Sequence, residues 1–212
     1  MEKGKLIVFE GLNGCGKGTH ILPIADLILN KNRANTIFLT REPNEFDENG
    51  MLARKMLFSD GDPYQNNLEA VRYFAKNRVT HNKIFNPMLD QGIHVISDRY
   101  WESNFAFQHA QGISYTQIAE ANISSRKPDL TYIIDAPVEV IFERLKIRDG
   151  GNRRKFDSNF EFMKKVRDNY LELKEVLPKV IRDYKIVYIN GDRPIKNIQQ
   201  EIRQHLKEKL GI

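Results

Sequence analysis

Short runs of apolar, often β-branched residues recur along the chain. They alternate with longer stretches in which apolar residues return every three or four positions. The runs are Leu6–Phe9, Thr36–Leu39, Ile93–Ile96, Leu130–Ile134 and Ile186–Ile189. Near-continuous apolar strands need cover on both faces. The pattern therefore predicts an α/β architecture, a five-stranded parallel sheet flanked by helices.

Between the strands, Ile21, Ile24, Ala25, Ile28 and Leu29 follow helical spacing, with Pro23 in the early turns where it is tolerated. A second helix is predicted from Asn66 to Lys83, continuing after a turn at Asn86-Pro87, and another over Ser114–Ser125. Asp157–Leu177 carries the stripe Phe160, Met163, Val166, Tyr170, Leu173 and Leu177, whose simplest use is core or subunit packing. Pro194–Leu210 reads as a closing amphipathic helix. Pro43–Gly61, with acidic residues and glycines beside an apolar helical patch, and the short, basic, glycine-bearing Arg148–Asp157 read as irregular regions, at places where α/β sheets carry binding loops.

The 212 residues suffice for one domain, 1–212, with a short mobile lid at about 148–157. No stretch approaches a membrane span, and the chain enters its first strand with no room for a signal peptide. A cytoplasmic protein without a membrane partner is expected. Cys15 is the only cysteine, which excludes an intramolecular disulfide and argues against a thiolate-rich metal site. The net charge of +5 suits anionic ligands. No long Lys/Arg run is present, so no nucleic-acid partner is expected. His20, His81, His94, His109 and His205 show no metal-ligand spacing.

The chemistry is concentrated after the strands. Gly11-Leu12-Asn13-Gly14-Cys15-Gly16-Lys17-Gly18-Thr19 follows the first strand and opens a helix, the pattern of a phosphate-gripping loop. The amides of Gly14, Gly16, Gly18 and Thr19 can converge on phosphate oxygens, Lys17 can reach the β and γ groups, and Thr19 can bond the α phosphate. Gly18 stands where a hydroxyl usually follows the lysine, so magnesium is expected to rely more on phosphates, water and carboxylates. Asp98, after the third strand, can orient hydrated magnesium, and Arg99 beside it can hold a phosphate. Glu10 either helps position the same cation through water or makes a structural hydrogen bond. After the second strand, Arg41 can clamp an acceptor phosphate, and Glu42 can fix that arginine or a sugar hydroxyl. Phe74 and Arg78, four residues apart on a helix, offer a stacking surface and a donor for a base. Arg144, Arg148, Arg153, Arg154 and Lys155 suggest a lid bringing positive charge over a migrating phosphoryl group. Which of Arg153 and Arg154 points inward stays open. Asp135-Ala136-Pro137 is expected to shape the loop after the fourth strand.

Several of these segments together resemble the thymidylate kinases of bacteria and archaea, within the P-loop nucleoside monophosphate kinases. They are Phe9 through Lys17, Thr40-Arg41-Glu42-Pro43, Asp98-Arg99-Tyr100 with Ser103 and Gln108, and Lys127-Pro128-Asp129-Leu130 leading to Asp135-Ala136-Pro137. The resemblance covers nearly the whole chain. It implies a P-loop kinase fold and transfer of the ATP γ-phosphoryl to thymidine 5′-monophosphate with magnesium. Arg41 and Arg99 would lie near the acceptor phosphate, Glu42 and Asp98 at acidic catalytic or magnesium-organising positions, and Phe74 against thymine with Arg78 at the base edge. Tyr100, Ser103 and Gln108 would border the nucleoside pocket, while Asn13, Cys15 and Arg148 would join the ATP side. Arg153 and Arg154 would supply the catalytic lid, and a homodimer is implied. Lys17-Gly18-Thr19 is closer to the adenylate kinase pattern, and Asn44-Glu45-Phe46-Asp47 replaces a glycine-rich continuation. The alternatives are another monophosphate kinase, of adenylate or uridylate type, and a nucleotide-dependent binding or regulatory protein.

Overall fold

Every residue of Leu6–Glu10 is buried, and this strand, β1, lies at the centre of the sheet. Burying apolar side chains of this kind contributes roughly 1.5–3 kcal/mol each, which fixes β1 as the spine of the core. The computed structural model describes residues 2–59, 61–65, 68–149 and 155–212. Strands β2 (Ile37–Arg41), β3 (His94–Asp98), β4 (Leu130–Asp135) and β5 (Ile186–Asn190) complete one parallel sheet in the order β2-β3-β1-β4-β5. The order departs in opposite directions from the β1/β3 pair, and in such sheets ligands settle outside the strand ends at that crevice.

Helix α1 (Lys17–Lys31) packs on β1 and β3, and the closing helix α9 (Ile195–Leu210) packs on α1 and β5. The others are α2 (Glu48–Phe58), α3 (Leu68–Asp90), α4 (Glu102–Ala110), α5 (Tyr115–Asn122), α6 (Val138–Asp149), α7 (Lys155–Ser158) and α8 (Phe160–Val180). Among the described residues no helix is long and apolar enough to cross a membrane.

The apolar helical patch expected within Pro43–Gly61 is α2, started by Asp47, whose Oδ1 accepts from the Gly50 amide at 2.8 Å. Two expectations are corrected. Helix α3 runs unbroken through Pro87, because Phe85 and Leu89, both fully buried, anchor it on either side of the proline. The long helix divides at Asn159, whose side chain caps α8 by accepting from Phe162 N at 2.9 Å. Of the expected stripe, Met163, Val166, Tyr170, Leu173 and Leu177 are buried in the core, and the half-buried Phe160 packs against it.

Candidate active site

The phosphate-type loop occupies the end of β1. Gly11 has φ +130°, and a Cβ there would stand 2.3 Å from the Ile134 carbonyl oxygen, so only glycine fits. Gly16, at φ 110°, turns the chain into α1, whose first residue is Lys17. The lysine is 7% exposed, and its Nζ donates to the carbonyls of Gly11 at 3.0 Å and Leu12 at 3.1 Å. Its charge therefore lies over the loop already. Gly18 and Thr19 are exposed on the first turn, and Cys15 is buried beneath.

The end of β3 faces this loop. Arg41 and Asp98 are register partners on adjacent strands, and both line the same cavity. Asp98 Oδ1 is buried without a hydrogen-bond partner among the described residues. Arg99 has φ 73°, a costly conformation for a side chain of its size, held by its own amide donating to Phe9 O and by Ser97 Oγ donating to Arg99 O. That twist turns the guanidinium inward. Nη2 donates to Asn13 Oδ1 at 2.7 Å, and Nη1 donates to Ser103 Oγ at 3.0 Å and Tyr170 Oη at 3.2 Å. Burial opposes its charge, but Tyr170, Glu10 and Asp98 outweigh burial and raise the pKa.

Glu10 is fully buried. It accepts from Tyr100 N at 2.7 Å, Ser103 N at 3.1 Å, Ser103 Oγ at 2.8 Å and Tyr170 Oη at 2.8 Å. Glu10 thus makes structural hydrogen bonds, one of the two roles expected for it, and ties β1 to α4 and α8. Burial, and then Glu10, push the Tyr170 phenol well above its usual range, so it remains a donor. Asn13 also donates to both oxygens of Asp157, at 2.9 and 3.1 Å, linking the loop to α7.

A cavity of about 210 Å³ extends from Asn13, Arg41, Asp98 and Arg99 to Phe74, Arg78, Tyr100, Ser103 and Gln108. Phe74 is 8% exposed and packs on Ala53 and Ala70. Glu42 holds Arg78 and not Arg41: Arg78 Nε donates to Glu42 Oε2 at 2.6 Å, and His81 Nδ1 lies 3.1 Å from Oε1. Gln108 accepts from Asn104 Nδ2 at 3.0 Å, and Tyr100 Oη bonds to Asn82 and the Arg126 carbonyl.

The expected basic residues are less unified. Arg148 is exposed at the end of α6 and paired with Asp149, while Arg144 binds the Gly191 carbonyl and Asp192. Gly150, Gly151, Arg153 and Arg154 lie outside the described residues. Asp135 forms a two-point ion pair with Arg167 of α8.

Sequence reasoning missed Asn104 and Asn122, the role of His81, and the polar end of Tyr170. A signal was present: Asn77, Asn82, Asn104 and Asn122 interrupt apolar helices, and asparagine is neither a good helix former nor cheap to bury unpaired. Among the described residues no group of three or more histidine, cysteine or acidic side chains could hold a metal. Asp98 Oδ1, buried and without a partner among the described residues, fits a cation carried in by phosphates and touched through water.

A protein-family model described as thymidylate kinase matches residues 9–202. A probable thymidylate kinase of Thermococcus kodakarensis is 32% identical over 212 residues, covering 97% of this chain and 98% of its own. One from Pyrococcus horikoshii is 34% identical, with 98% of each chain covered. A thymidylate kinase of Nitrosomonas europaea is 30% identical, covering 98% of this chain and 94% of its own.

Proposed function

Because the chain belongs to the thymidylate kinase family, we propose that it moves the γ-phosphoryl group of ATP to thymidine 5′-monophosphate, giving thymidine diphosphate and ADP. One observation carries this reading: a single cavity joins a phosphate-type loop, through Arg41, Asp98 and Arg99, to an aromatic and guanidinium pair at Phe74 and Arg78. Two anionic ligands can thus meet end to end, one at the amides and Lys17, the other at the arginines.

An oxygen of the acceptor phosphate attacks the γ phosphorus. The bond from that phosphorus to the β–γ bridging oxygen breaks, and ADP leaves with the electron pair. The attacking oxygen is already anionic near neutral pH, so catalysis is a matter of position and charge. Lys17 stabilises charge on the donor phosphates. Arg41 and Arg99 hold the acceptor phosphate, and Arg99 reaches the donor loop through Asn13. Phe74 stacks on the base, while Arg78, Tyr100, Ser103 and Gln108 border the nucleoside. Asp98 would hold the water shell of a magnesium ion bound with ATP, whose charge would offset that of the phosphates. Arg153 and Arg154 are proposed to cover the reacting phosphates. The protein is proposed to work as a cytoplasmic homodimer, and sedimentation at one chain mass would remove that part.

A ligand joining adenosine to thymidine through a chain of phosphates tests the shared cavity. It should compete with both ATP and thymidine monophosphate and bind at least about a hundredfold more tightly than either. Competition with ATP alone would contradict the reading.

A further inference from the structure

Arg78 is 1% exposed, and its guanidinium is pinned from three sides. Nε donates to Glu42 Oε2 at 2.6 Å, and Nη1 donates to Asn104 Oδ1 at 3.0 Å and to Asn122 Oδ1. A guanidinium has five N–H donors in one rigid plane. These three contacts use the hydrogen on Nε and both on Nη1, leaving the pair on Nη2. Fixing Nε and Nη1 also fixes the plane, and with it the direction of Nη2. Glu42, Asn104 and Arg78 line the cavity; Asn122 does not.

Asn122 is the last residue of α5, has no exposed surface, and has a determined orientation. Its Nδ2 donates to the Ile118 carbonyl one turn earlier, at 2.8 Å, so Oδ1 must face Arg78. Helix α5 is itself set by a capping box, in which Ser114 and Gln117 bond each other's backbone amides. Nδ2 also lies 3.4 Å from Asn104 Oδ1, so Asn122 reaches the cavity through two lining residues, Arg78 and Asn104, and contributes no atom to the lining itself.

We propose that Asn122 is a positioning residue for base recognition: it sets the plane of Arg78 so that Nη2 presents two donors to a carbonyl oxygen of the acceptor base. This rests on the kinase reading above and narrows it. Two donors favour a base with a keto oxygen at that edge, such as thymine or uracil, and oppose an amino group, as in cytosine or adenine.

The test is steady-state kinetics of the whole enzyme with ATP and magnesium, using thymidine or deoxycytidine monophosphate. Asn122→Ala should raise KM for thymidine monophosphate about tenfold and shrink the preference for it by a similar factor, with kcat and KM for ATP changing less than about threefold. Asn122→Asp keeps an acceptor oxygen at Nη1 and should recover most of the preference, which a purely structural role would not predict. If the alanine variant does not fold, Asn122→Ser serves: its hydroxyl can bond the Ile118 carbonyl but is too short to reach Arg78. Undiminished preference in a folded alanine or serine variant would overturn the proposal. So would parallel rises in both KM values, or an aspartate variant as impaired as the alanine one. A wild-type enzyme that phosphorylates no monophosphate would instead overturn the kinase reading itself.

Discussion

Asn13 Oδ1 accepts a hydrogen bond from Arg99 Nη2 at 2.7 Å, so the loop assigned to the donor and the arginine assigned to the acceptor are in direct contact. The same amide donates to Asp157 on the far side of the cleft. Removing the side chain should let Arg99 drift from the reacting phosphate while leaving each nucleotide its main contacts. Asn13→Ala is expected to lower kcat about tenfold, with KM for either nucleotide changing less. A fall confined to KM for ATP would place Asn13 on the donor side alone.

Among the described residues Lys17 bonds only to two carbonyls of its own loop, so its loss should spare the fold. Lys17→Ala is expected to reduce kcat by about a thousandfold or more, because it removes charge from the transferring phosphoryl. Turnover is read by ADP release and folding by thermal melting. Near-normal turnover would remove Lys17 from the mechanism.

Phe74 sits in a small cluster with Ala53 and Ala70, apart from the main core. Phe74→Leu keeps much of the volume and loses the ring. KM for the monophosphate should rise about tenfold through lost stacking, while KM for ATP holds. Equal losses for both nucleotides would show a general loosening of α3.

The sequence pattern located the five strands of the described residues and the phosphate-type loop after β1, because apolar runs and glycine spacing are local signals. Boundaries shifted where hydrogen bonding, not apolarity, ends a strand: β2 extends to Arg41 and β3 to Asp98. Helix α2 was legible only as an apolar patch without bounds, because its buried face is carried by small residues, Gly50 and Ala53, which leave little apolar period to read. The partners of Glu42 were not legible either. Arg41 is its chain neighbour, but Arg78 and His81 reach it only through packing of α3 against the sheet.

Glu102 is fully buried on α4, with Oε1 accepting from Thr131 Oγ1 and Tyr184 Oη, while Oε2 has no partner among the described residues. Burial first, then the charge of Glu10, push its pKa from 4.5 up to about 7. Between those values the folded protein keeps a proton that the unfolded chain gives up. Stability should therefore fall as pH rises from about 4.5 to 7 and level off above that window. Glu102→Gln should flatten this decline and melt several degrees higher than wild type at pH 8. Calorimetry at a series of pH values checks it; an unchanged slope would assign the decline to other groups.

The most direct measurement of the central claim is ADP formation with ATP and magnesium, acceptor by acceptor, across the common nucleoside monophosphates. Thymidine monophosphate should give the highest kcat/KM, with one thymidine diphosphate formed for each ADP. ADP released at the same rate without any monophosphate, or fastest with adenosine or uridine monophosphate, would contradict the account.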